Sequence, residues 1–156
     1  MSENHKVYIG CGMVILNPDK TKVLISRRKK EPDLGGLQIP GGTIDYDNQE
    51  NLVKGVVREI LEETGIQIQN PEFLCVINSF YLGKERPIHM IFVGRVESEE
   101  IPPNPEPHKA EDWQWISLDN LPDDKWFRMS KIALNFYNDL QKYPNLNRAV
   151  IDTEFE

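Results

Sequence analysis

Three glutamates, Glu59, Glu62 and Glu63, stand at i, i+3 and i+4 in the run Arg58-Glu59-Ile60-Leu61-Glu62-Glu63-Thr64-Gly65-Ile66. On an α-helix that spacing sets all three carboxylates on one face, about one turn apart. Like charges so placed repel, and a solvated helix gains nothing from them. A hard divalent cation reverses the sign. Mg²⁺ takes oxygen ligands, keeps several of its waters and bridges to substrate phosphates. The trio therefore reads as a platform for metal-assisted chemistry on a phosphate compound. The competing reading is a plain solvated face, because glutamate is a good helix former. The flanking residues decide between the two.

The helix that carries the glutamates is expected to begin near Asn48 or Gln49, with Asp47 or Asn48 as its N-cap. At about 100° per residue, Val53, Val56, Val57, Ile60 and Leu61 fall in one arc that packs on a core, and the glutamates fall in another. Gly55 lies in the glutamate arc. It is either drift, at roughly 1 kcal/mol against alanine, or clearance that lets a metal or phosphate approach the backbone. Thr64-Gly65-Ile66 is a stop: Gly65 suits a left-handed C′ position and Ile66 can fold back onto the helix. Upstream, Pro40-Gly41-Gly42 lets the chain turn tightly beside the acidic face.

Gly42, Glu50 and the run from Arg58 to Ile66 together resemble the Nudix hydrolase signature, G-x5-E-x7-R-E-U-x-E-E-x-G-U with U apolar. The match holds from Glu50 to Ile66. Between Gly42 and Glu50 the chain has seven residues instead of five, so the segment from Thr43 to Gln49 reads as a two-residue insertion in the signature loop. The resemblance implies catalytic roles for Glu59, Glu62 and Glu63, which would ligate metal together with the carbonyl of Gly42 or Gly41, and contact of Gly41 with substrate. It also implies that Arg58 pairs with Glu50 and fixes the loop against the helix. Eight residues along one continuous helix is roughly 12 Å, so that pairing requires a bend in the first turn.

The segment from Glu106 to Trp115 resembles part of the MutT-type nucleotide triphosphatases. These use a further acidic residue outside the helix as base or metal ligand. Glu111 is the candidate, Asp112 the fallback, and an exposed loop glutamate the competing reading. Alignment with the same pattern favours Arg28 over Arg27 as a phosphate ligand, since a guanidinium suits two oxygens at once; a solvated strand end competes. Lys29 and Lys30 read as solvated. Phe80, Tyr81, Phe92, Trp126 and Phe127 could stack on a nucleobase, with Phe80 taken as the substrate contact, though each suits a core equally. His89 reads as a core or rim histidine.

Val7 to Leu16 is apolar enough for a central strand, and Lys22 to Arg28 reads as its hairpin partner. Glu72 to Leu82 and Pro87 to Val96 read as strands joined across Gly83-Lys84-Glu85-Arg86. The prolines from Pro102 to Pro107 make an extended loop. Trp113 to Leu118 is a short strand, and Met129 to Tyr143 has helical spacing. Mixed strands with two helices make an α/β (α+β) chain whose sheet lies between helices. The resemblance implies the Nudix α/β/α sandwich, one domain over residues 1–156 with its core at about 6–143.

Composition narrows the function classes. At 156 residues, 39% hydrophobic and 28% charged, the chain suits one soluble globular domain. No apolar run approaches a membrane span, and the first residues lack the apolar core of a signal peptide, so a cytoplasmic location is expected. Cys11 and Cys75 lie in apolar runs and read as buried thiols without metal spacing. A net charge of −7 disfavours duplex nucleic acid and, for a polyanionic small substrate, calls for metal ions. The implied activity is Mg²⁺-dependent hydrolysis, with Mn²⁺ as substitute, of a nucleoside triphosphate to monophosphate and pyrophosphate. Oxidised, non-standard or dCTP-like nucleotides fit that class. ADP-ribose or a sugar nucleotide is the alternative substrate. Two other classes compete: a non-catalytic Nudix-fold nucleotide-binding module, against which the intact glutamates stand, and an isoprenoid diphosphate isomerase, which needs an active-site cysteine, a role for which Cys11 and Cys75 in apolar strands are poor candidates. A homodimer is an open option with no interface located.

Overall fold

An 11-residue strand of nearly continuous apolar residues needs cover on both faces, and the fold supplies it. The computed structural model describes residues 6–45, 47–79 and 85–151. In chain order come strands β1 (Lys6–Leu16), β2 (Lys22–Arg27), β3 (Leu37–Gln38) and β4 (Gly41–Thr43), helix α1 (Leu52–Thr64), strands β5 (Glu72–Asn78), β6 (Glu85–Arg95) and β7 (Gln114–Ser117), helix α2 (Arg128–Lys142) and strand β8 (Ala149–Ile151). They build one mixed sheet in the order β3-β2-β1-β6-β5-β8, with β4 paired to β1 and β7 to β2.

The two helices cover opposite faces, as the α/β/α reading expects. Val56 and Ile60 of α1 pack with Cys11, Met13, Ile15 and Leu24. Ala133 and Leu134 of α2 pack with the alternate residues Val14, Leu16, Val23 and Ile25. Strand alternation thus assigns β1 to both cores at once. At its centre β1 runs parallel to β6, in register from Lys6 opposite Glu85 to Leu16 opposite Arg95. The expected hairpin of β1 with β2 is reduced to a single register pair, Leu16 opposite Val23. Instead β2 is held by β7, from Lys22 opposite Ser117 to Ile25 opposite Gln114. The strand expected over Glu72 to Leu82 runs to Asn78, and Phe80 and Tyr81 lie outside the described residues.

Helix α1 begins later than its sequence suggests. Asn51 is the N-cap, its side chain accepting from Lys54 N at 2.9 Å. Asp47 and Asn48 do not cap it, because Asp45 Oδ1 takes the backbone N–H groups of Asp47 at 3.0 Å and Asn48 at 3.4 Å in a local turn. Gln49 follows with φ 53°, which no helix can contain. The inserted residues are therefore spent in this turn, ahead of the helix. The C-terminus is as expected: Gly65 is left-handed at φ 72° and donates to Leu61 O at 2.8 Å.

The helix is also rolled relative to its apolar arc. Val53 and Leu61 are 47% and 46% exposed, while Gly55, Val56, Ile60, Glu63 and Thr64 are buried. Trp113 contributes to this roll, its Nε1 donating to Glu63 O at 3.0 Å. Gly55 clears space neither for a metal nor for a phosphate. A Cβ there would run into Ile44 Cδ1 and come within 2.9 Å of Glu50 Oε2. Gly55→Ala should therefore lower the melting temperature, although alanine gains about 1 kcal/mol in helix propensity and overpacking costs about 1–3 kcal/mol. A thermal melt that rises in this variant would contradict the packing.

Candidate active site

The site is assembled from the loop after β3, the exposed edge of α1 and the loop before β7. Its anchor is Arg58. Nε donates to Glu50 Oε1 at 2.7 Å and Nη2 to Glu50 Oε2 at 2.9 Å, a two-pronged pair. Nη2 also reaches Thr43 O at 3.1 Å, and Nη1 reaches Glu59 Oε1 at 3.0 Å and Glu62 Oε2 at 3.1 Å. One guanidinium thus ties the loop, the residue before the helix and two platform glutamates. The pairing needs no bent helix, because Glu50 precedes α1 and folds back over Gly55. Arg58 holds the Glu50 carboxyl below its ordinary range, and the three carboxylates hold Arg58 charged.

Glu63 is the most enclosed of the three, 8% exposed. Gly41 N donates to its Oε2 at 2.8 Å. Burial pushes its carboxyl up to about 7; the Gly41 N–H opposes that shift, and the charge of Glu59 adds to it. Glu59 is pushed in the same direction by burial, against the pull of Arg58. Glu62 is exposed. The two glycines are matched to this crowding. A Cβ on Gly42 would collide with the Glu59 carboxylate, and one on Gly41 with Cys11 O of the paired strand. The backbone of the loop can approach these acids so closely only without side chains.

Glu111 donates its backbone N–H to Arg27 O at 2.9 Å, and its side chain is 56% exposed, 4.0 Å from Arg27 Nε. Asp112 is exposed. Arg28 is buried, with Nε on Pro32 O at 2.8 Å, Nη1 on Gln38 Oε1 at 2.8 Å and its guanidinium 4.1 Å above the Phe127 ring. Phe92 lies in the core on the α1 side, and Trp126 is bonded through Nε1 to Pro122 O at 3.0 Å. Cys11 and Cys75 are buried free thiols, as expected, and burial raises each to about 12.

The residue the sequence reading passed over is Glu106. Its Oε1 accepts from Lys109 Nζ at 2.7 Å, while Oε2 is buried with no hydrogen-bond partner among the described residues. Its charge is felt at Glu63, and Lys109 in turn feels Glu63 and Glu59. Lys30, read as solvated, also acts on Glu63. The signal available in the sequence was the proline pair around Glu106, which fixes the loop; the nearby tryptophans drew attention to Glu111 instead.

As they stand, no three acidic, imidazole or thiol side chains among the described residues are gathered tightly enough to hold a metal ion. The reason is visible: Glu59 and Glu62 are turned onto Arg58, and Glu63 onto Gly41 N. The donor set nevertheless suits a hard dication. It is all oxygen, it is crowded by like charge, and it includes an unpartnered buried carboxylate oxygen.

The Nudix domain family matches residues 8–136. The chain belongs to the Nudix family. It is 30% identical over 128 residues to an 8-oxo-dGTP diphosphatase of Buchnera aphidicola subsp. Schizaphis graminum, covering 79% of this chain and 86% of that one. It is 30% identical to an RNA pyrophosphohydrolase of Bartonella henselae, over 76% of this chain and 73% of the relative. Among solved structures, a MutT Nudix hydrolase from Burkholderia pseudomallei superposes with a TM-score of 0.75 at 30% identity, covering 84% of this chain and 98% of that one. The protein is accordingly a Nudix hydrolase of the MutT type.

The raised Glu63 carboxyl has a consequence for stability. Its ordinary value is 4.5 and its folded value about 7, so the folded chain holds that proton more tightly than the unfolded one. The stabilisation is complete below pH 4.5 and is lost as pH rises through 7. Glu63→Gln in metal-free protein should therefore melt several degrees above wild type at pH 8, for a gain on the order of 2 kcal/mol. The gain should vanish below pH 4.5. A gain of equal size at both pH values would locate its cause outside this carboxyl.

Proposed function

We propose that the chain is a divalent-metal-dependent pyrophosphohydrolase of nucleoside triphosphates, releasing nucleoside monophosphate and pyrophosphate. The observation that carries this reading is the enclosure of Glu63 and Glu59 beside the side-chain-free backbone of Gly41 and Gly42. Such crowding is unfavourable for an apo surface and favourable for a site that receives cations and phosphate. The relatives named as an 8-oxo-dGTP diphosphatase and an RNA pyrophosphohydrolase support cleavage within a 5′-triphosphate.

Glu59, Glu62, Glu63 and the carbonyl of Gly42 would hold Mg²⁺, or Mn²⁺ in its place. When bound, the ion offsets charge on the phosphoryl oxygens and lowers the pKa of a bound water. The chain's own groups do the rest. Arg58 and Glu50 fix the helix against the loop, so the carboxylates and Gly41 keep one spacing. Glu106 takes the place proposed for the acid outside the helix, in preference to Glu111, and accepts the proton of the attacking water at Oε2. Lys109 and Lys30 bring positive charge toward the phosphates. Arg28 is retained as a substrate-side residue, its guanidinium fixed over the Phe127 ring; Phe80 remains a candidate base contact.

Glu62→Gln is expected to lower kcat by on the order of 10²-fold with the melting temperature unchanged or raised. Glu106→Gln should cost at least tenfold in kcat, and Glu111→Gln little. EDTA should abolish turnover, and Mg²⁺ should restore it. The deciding experiment incubates nucleoside triphosphates, 5′-triphosphorylated RNA, ADP-ribose and sugar nucleotides with protein and Mg²⁺ and resolves the products. Pyrophosphate plus a monophosphate supports the proposal. A sugar phosphate, or no turnover of any compound, would replace it with a dinucleotide-type hydrolase or a binding module.

A further inference from the structure

Besides Glu106, two buried side-chain atoms lack a hydrogen-bond partner among the described residues: Ser79 Oγ and His89 Nδ1. Register makes them neighbours. Ile77 of β5 stands opposite His89 of β6, and Ser79 N donates to Pro87 O at 3.2 Å, so Ser79 continues the alternation on the same face as His89. Diagonal neighbours of this kind lie about 7–8 Å apart, close enough for one planar ligand edge to meet both.

The pair is also tied to the glycine loop. Thr43, Gly10 and His89 form one row across β4, β1 and β6. Two strand spacings, about 10 Å, therefore separate His89 from Thr43 on the face that α2 covers, while Gly42, opposite Cys11, abuts Glu59 on the α1 face. Among the described residues β4 pairs only with β1, and a nucleotide crossing at the outer edge of β4 would have its phosphates on one face and its base on the other. Gly10 is fitted to the imidazole: a Cβ there would approach Nε2 to 2.9 Å, so the Nε2 edge lies on β1 and the Nδ1 edge is turned away. Phe127, at the N-cap of α2, stands edge-on to the ring at a centroid distance of 6.3 Å. Burial first, and the charge of Arg28 second, push His89 down to about 4, so the imidazole is neutral at physiological pH. A neutral imidazole and a hydroxyl each donate or accept one hydrogen bond at choice. That chemistry suits the lactam or amidine edge of a nucleobase.

A buried polar atom without a partner costs stability, and such atoms persist where a bound group supplies the missing partner. We propose that Ser79 Oγ and His89 Nδ1 read the hydrogen-bonding edge of the substrate's nucleobase and thereby set base preference. The inference rests on the pyrophosphohydrolase reading of the same site. Both atoms are shut off from solvent, so base entry is accompanied by rotation of the two side chains.

The test uses the full chain with Ser79→Ala and His89→Phe, each of which removes the polar atom and keeps the shape. Melting temperature, kcat/KM for triphosphates of each base, and binding of the corresponding monophosphates without metal are measured. Melting temperatures equal to or above wild type are expected. The discrimination between the best and the next base should fall on the order of tenfold per lost hydrogen bond. In the wild type, the ring nitrogen resonances of His89 should shift on titration with the preferred monophosphate. Lower melting temperatures with base preference intact would overturn the proposal, leaving the two atoms partnered by trapped water in a packing role. A wild-type protein that turns over no nucleotide overturns the parent reading and this one with it; a wild-type preference that both variants keep overturns this one alone.

Discussion

One guanidinium joins parts of the chain that would otherwise repel or drift. Arg58 takes Glu50 with two nitrogens and Glu59 and Glu62 with the third, and the same Nη2 holds Thr43 O. Without it, Glu50, Glu59 and Glu62 would face one another beside a buried Glu63. An ion pair at a surface contributes little, but this one is a half-buried network with a forked geometry, and it fastens the glycine loop to α1 through a charged side chain. The placement of Gly55 follows from it. Glu50 can lie across the helix only where the helix has no side chain.

Crowding of acids has a second support in the backbone. Gly41 offers Glu63 an N–H at 2.8 Å while its own strand, β4, is paired with β1. The sheet that makes the core therefore also holds the hydrogen-bond donor in place, and the donor cannot turn away without breaking the strand pair. The far end of α1 is pinned by the Trp113 indole on Glu63 O. A helix face that sequence periodicity would leave in solvent is in this way drawn inward, and the carboxyls of Glu59 and Glu63 are desolvated.

Much of this was legible in the residues. Charge spacing from Arg58 to Glu63, the glycine stop at Gly65 and the apolar run of β1 each follow from local rules, and the mixed sheet between two helices follows from their order. What was not legible depended on partners far along the chain. The start of α1 is set by Asp45, whose turn outcompetes the caps that Asp47 and Asn48 offer. Trp113 contributes to the roll of α1, fifty residues from the Glu63 carbonyl it holds. The pairing of β2 with β7 depends on a strand about ninety residues away, which a hairpin rule cannot see. Glu106 was missed because its enclosure is a property of the folded loop and of its contact with Lys109, and neither is written in the local pattern.

The turn that absorbs the two additional residues has a bearing on how such a chain can vary. Distances that matter to the carboxylates are set downstream of Glu50 by the helix and upstream of Thr43 by the strand pair. Between these two clamps the chain is slack: Asp45 and Gln49 take up length by closing a small turn, and Asn51 restarts the helix whatever preceded it. Loop length there is mechanically decoupled from the geometry of the acids. A lineage can lengthen or shorten this stretch without recalibrating the rest, and a pattern that counts residues across it measures the slack and not the machine.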